Sequence, residues 1–143
     1  MSANASASTA DANTVDPNET TATRRERGEK IAEELHGGRA ALLDALDQDF
    51  PFLANALTSY AVGEVLARTV LDVRTRQLAL VAAFAALGLG DFIKVHGDYA
   101  LNAGVTEEEL KEIVYLTTIP GGFARAVQAS QAVAELIASR RPA

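Results

Sequence analysis

The chain contains no cysteine. That absence removes disulfides, thiolate nucleophiles and thiolate metal ligands together, and leaves the redox compartment open. Tryptophan is also missing and aromatics are only 6% of residues, so alanine, leucine and valine must fill whatever core forms. Basic residues are the scarcer charge, 13 against 19 acidic, for a net charge of −6. Nucleic acid and anionic membrane surfaces both call for a basic face, so neither is an expected partner. The apolar run from Leu78 to Leu89, uninterrupted by charge, is too short to span a bilayer, which takes about 20 apolar residues. The start of the chain lacks the basic and apolar regions of a signal peptide, which makes the cytoplasm the expected location.

At 143 residues and 48% hydrophobic, the expectation is one domain with a substantial core. Residues 1–20 are rich in Ser, Ala, Asn and Thr and have little to bury, so they are expected to be a disordered tail. The remainder, 21–143, reads as a single helical domain. No segment alternates with period two, and the expected fold class is all-α. Small side chains on several helices permit close approach and suggest apolar surface buried between subunits of a homo-oligomer.

Everything else is arranged around residues 72–104. Two core helices are predicted, near 73–88 and 91–103, packed as an antiparallel pair across the GLGD turn. The first is apolar on almost every face, as a buried helix should be. Asp72 is its expected cap, Gly88 or Gly90 its end, and Gly104 the left-handed close of the second helix. Upstream lie a charged helix from about Thr23, an interruption at His36-Gly37-Gly38, an apolar run from Ala41, and a helix from Pro51 to about Arg68. Downstream, Thr106 and Glu109 form a capping box. The segment Ile119-Pro120-Gly121-Gly122 then breaks that helix; lacking a lysine and the P-loop spacing, it reads as a turn.

Two ionisable groups fall on apolar stripes. At 100° per residue Leu53, Leu57, Tyr60 and Glu64 share one narrow face, so Glu64 is either a structural ion pair with an arginine or part of a site. Phe92, Val95, His96, Tyr99 and Ala103 share another, which makes His96 either a hydrogen-bonded core histidine or a proton-transfer group. Arg74 and Arg76 stand in the first turn of the central helix. Two separated histidines without HExxH or HxH spacing give no support for a metal site.

The runs RRERGEKIAEELHG, DFPFLANALTSYAVGEVLARTVLDVRTRQLALVAAFAALG and HGDYALNAGVTEEELKEIVYLTTIPGGFARA resemble the carboxymuconolactone decarboxylases, from residue 24 to the last helix. The most specific parts are Tyr60-Ala61-x-Gly63-Glu64, Leu71-Asp72-x-Arg74-Thr75-Arg76, and His96 followed by Asn102-x-Gly104-Val105-Thr106. The resemblance implies an AhpD-like helical domain, a trimer or hexamer, and a role in aromatic-compound catabolism. It also implies cofactor-independent loss of CO₂ from an acidic lactone. In the AhpD-like peroxidase partners a Glu, a CxxC pair and a His stand where this chain has Gln77, Leu89, Phe92 and His96. Without thiols, disulfide exchange is excluded. The resemblance makes His96 the general acid/base, Arg76 or Arg74 the carboxylate anchor, and Glu64 an orienter or second proton-transfer group. Tyr60, Gln77, Phe92 and Tyr99 are the remaining expected substrate-contacting side chains. No cofactor and no metal is implied. Val62, Pro120 and Ala124 depart from the family pattern, which commonly has an aromatic, a Tyr and a Pro there. They keep open a tailoring enzyme that isomerises or opens a different lactone, and a non-catalytic ligand-binding oligomer remains the third reading.

Overall fold

The computed structural model describes residue 16 and residues 18–37 and 41–142. Most of the tail set apart by its composition, residues 1–15 and 17, lies outside the described residues. The described residues are helical with no strand among them, an all-α chain. None of their helices is long and apolar enough to cross a membrane. The chain divides into two compact units, Met1–Val70 and Leu71–Ala143.

In the first unit α1 spans Thr21–His36, α2 Ala41–Asp49 and α3 Pro51–Ala56, which runs on as a π-helix over Leu57–Leu66. Thr20 starts α1, its hydroxyl accepting from the Thr23 N–H at 3.2 Å. The helix predicted from Pro51 is present, but the stripe drawn along it is not. Leu53 is 53% exposed and Tyr60 63% exposed, while Ala54, Thr58, Ser59 and Gly63 face inward. A π-helix closes its bonds five residues apart, so each residue turns through a smaller angle than the α-helical projection assumes. The buried face is also a backbone contact. A Cβ at Gly28 would overlap the Thr58 carbonyl oxygen, and one at Gly63 the Arg24 carbonyl oxygen. Glycine at both positions lets α1 and the π segment touch main chain to main chain. Arg27 of α1 ties the contact down, its Nε donating to the Gly63 carbonyl at 2.6 Å, while Arg25 links α1 to α2 by reaching both Asp47 oxygens at 2.9 Å.

In the second unit α4 spans Val73–Leu87, α5 Gly90–Asn102 and α6 Glu107–Arg140. The core pair thus falls within a residue of its predicted bounds. Asp72 caps α4 by accepting from the Thr75 N–H at 2.8 Å. Gly88, at φ 75°, reverses the chain; the Leu89 N–H then bonds back to the Phe84 carbonyl at 3.0 Å, which caps the orphan carbonyls. The Thr106–Glu109 capping box starts α6 as expected. That helix is bent at Gly122, whose φ 74° and ψ 172° are not helical, next to Pro120. The break expected at Ile119–Gly122 is therefore a kink between two helical halves. The core of the unit joins Val81 and Ala85 of α4 to Ile93 and Ala100 of α5, and these to Leu110, Val114, Ala129, Val133 and Leu136 of α6. Side chains of modest size close this core without tryptophan, as the composition required.

Candidate active site

Gln77 lies one turn into α4, on the same face as Val81 and Ala85, and is 1% exposed. A buried amide in apolar surroundings costs stability unless it is hydrogen-bonded. Here the partner comes from α5: Gln77 Oε1 and His96 Nδ1 are 2.8 Å apart. Since the amide oxygen can only accept, Nδ1 carries the proton and Nε2 keeps its lone pair. Among the described residues Nε2 has no hydrogen-bond partner.

The ring is walled by aromatics. Phe84 packs against it with centroids 5.0 Å apart, Tyr99 meets it edge-on at 5.5 Å, and Phe92 stacks on Phe84 at 5.2 Å. This apolar enclosure disfavours the charged ring and lowers the His96 pKa from 6.5 to about 4, burial being the cause. At neutral pH the imidazole is therefore an uncharged base. The same enclosure raises the Tyr99 phenol, with the neighbouring Asp98 carboxylate adding to the effect. Phe92 keeps 47% exposure, so the cluster has an open side as well as a buried floor.

The other expected site residues are placed differently. Arg74 forms an ion pair with Glu109 at the start of α6. Glu109 is held well below the usual carboxylate range, to about 2, first by the Thr106 N–H, then by Arg74 and the Thr106 hydroxyl. Arg76 Nη2 donates to the Leu71 carbonyl at 2.7 Å. Glu64 and Tyr60 belong to the first unit. There Glu64 pairs with Arg24 at 2.8 Å, the ion-pair arrangement, with a partner from α1. Two participants went unnamed in the sequence. Phe84 carries a signal, since it stands seven residues after Gln77 and so on the same helix face. Arg24 carries none, being one of several arginines in a charged helix. Among the described residues no group of three or more His, Cys, Asp or Glu side chains could hold a metal ion.

A model of the carboxymuconolactone decarboxylase family matches residues 51–135. The chain belongs to that family. The match takes in both helices of the His96 cluster and each of the expected site residues, but not Arg24. Among curated proteins, the 4-carboxymuconolactone decarboxylase of Acinetobacter baylyi is 36% identical over 81 residues, covering 57% of this chain and 58% of that protein. The chain thus spans less than two thirds of the length of this relative.

Proposed function

We propose that the chain decarboxylates an acidic lactone of the 4-carboxymuconolactone type, without a cofactor. The observation that carries this reading is the His96 ring, set among Phe84, Phe92 and Tyr99 with Nδ1 committed to Gln77. Family membership and the named activity of the relative support this choice of substrate class. In the reaction the bond between the ring carbon and the carboxylate breaks, CO₂ leaves, and the electron pair moves into the conjugated lactone. The lactone carbonyl is its own electron sink, which is why no cofactor is needed. One proton must then reach carbon. In the free protein His96 is neutral, but an anionic substrate beside Nε2 favours the imidazolium. The ring would then take up a proton as substrate binds and hand it to the carbanionic lactone. Arg76 or Arg74 is the proposed carboxylate anchor, for which the planar guanidinium is suited. Arg74 would have to exchange Glu109 for the substrate.

A second reading is favoured by the neutral imidazole itself, together with the departures at Val62 and Pro120. A neutral base in an apolar pocket can also remove a proton α to a lactone carbonyl, giving isomerisation without loss of CO₂. Incubating the purified chain with 4-carboxymuconolactone while following both CO₂ and lactone absorbance separates the two. Stoichiometric CO₂ supports decarboxylation. A changed spectrum without CO₂ supports isomerisation, and no change with this or related lactones contradicts both.

A further inference from the structure

We propose that Gln77 is a positioning residue whose buried amide oxygen fixes His96 as the Nδ1–H tautomer, so that Nε2 is the atom that transfers the proton. This rests on the reading of His96 as the proton-transfer group. Gln77 is among the largest fully buried side chains, in the company of Ile93, Leu110 and Val81. Leucine or methionine would fill that position without a polar group to satisfy. The amide is instead spent on one contact, 2.8 Å from Nδ1. An imidazole tied at one nitrogen has its ring plane and its tautomer set together. A carboxylate at position 77 would orient the ring equally well. It would also add a negative charge beside the ring, favour the imidazolium in the free protein and repel an acidic substrate. An amide orients without charging. Consistent with that, burial is the cause of the shift at His96, with no charged neighbour contributing. Gln77 and Phe84 from α4 and Tyr99 from its own helix face the ring. At 1% exposure Gln77 is poorly placed to touch a substrate directly, so it acts through His96.

The test reads the imidazole itself. The chain has two histidines, so nitrogen-15 NMR of the full-length protein, with His36→Asn to assign the signals, reports each ring separately. The expected result above pH 6 is His96 in the Nδ1–H form. An Nε2–H ring, as the opposite amide orientation would give, overturns the proposal whatever the activity. Gln77→Glu should raise the His96 titration midpoint by about one pH unit or more, since a carboxylate there favours the charged ring. An unmoved midpoint argues against the contact. Gln77→Met should mix the tautomers and lower kcat by about 10–100-fold, as loss of an orienting partner does, with KM within about twofold. A raised KM with the tautomer unchanged would make Gln77 a substrate contact and overturn the positioning role. If Gln77→Met does not fold, the wild-type tautomer and the Gln77→Glu titration still decide. If the wild type converts no lactone, the proposed function fails while the tautomer result stands on its own.

Discussion

His96 and Glu109 are displaced from their ordinary ionisation by different forces, and the two effects separate on a pH axis. His96 is shifted down by burial, from 6.5 to about 4. Between those values the unfolded chain binds the proton and the folded chain does not, so stability is greatest above about pH 6.5 and falls as pH drops to about 4. The size is on the order of 2–3 kcal/mol for a ring that keeps some exposure. Glu109 is also shifted down, from 4.5 to about 2, but by hydrogen bonds and Arg74. Its contribution is present above about pH 4.5 and is lost as pH falls towards 2. Urea titrations across pH should therefore show two losses. His96→Gln should remove only the upper one and Glu109→Gln only the lower one; a His96→Gln protein with an unchanged pH 4–6.5 slope would contradict the burial of this ring. His96 itself was legible in the sequence because an imidazole between Phe92 and Tyr99 stands out on an apolar stripe. Its contact with Gln77 was not, because the two lie 19 residues apart on different helices and spacing within one helix says nothing about pairing across two. The aligned position singled out Gln77; only the fold supplied its partner.

At the scale of elements, local chemistry set the boundaries. Asp72, the Thr106–Glu109 pair and Gly88 act within one turn of chain, and all three do in the structure what their residue types imply. The π-helix at Leu57–Leu66 escaped the same reading. A projection at 100° per residue presupposes the α-helix it sets out to test, and the close approach at Gly28 and Gly63 depends on a tertiary contact. Gly122 is the element whose conformation is most demanding. Its φ 74° and ψ 172° lie in a region open essentially only to glycine. Gly122→Ala should therefore cost about 1–3 kcal/mol of stability, read as a lower urea midpoint with unchanged helical content at low urea. An unchanged midpoint would mean that the kink in α6 is not held as described.

At the scale of the whole molecule, several large apolar side chains are exposed. On α6, Tyr115, Leu116, Ile119 and Phe123 are all more than half exposed, Ile119 at 85%. Contiguous apolar surface of this kind marks association in soluble chains. The expected state is a symmetric homo-oligomer, as the small side chains of the sequence and the habit of the family it resembles both suggested. Light scattering at micromolar concentration should give a mass well above 15.1 kDa; a monomer would contradict it. Ile119→Lys, in the middle of the patch, should shift the distribution toward smaller species.

If His96 is the proton-transferring group, as proposed, replacing it by Gln should abolish most turnover while leaving the helical pair intact. Glutamine keeps a polar side chain of similar reach but cannot shuttle a proton. The measurement is turnover of 4-carboxymuconolactone per folded molecule, with folding and oligomer mass checked alongside. The expected result is an intact fold and a fall in turnover of about 10²–10⁴-fold, the usual contribution of a positioned acid/base. A folded His96→Gln protein with wild-type turnover would contradict the account and leave Glu64 as the next residue to remove.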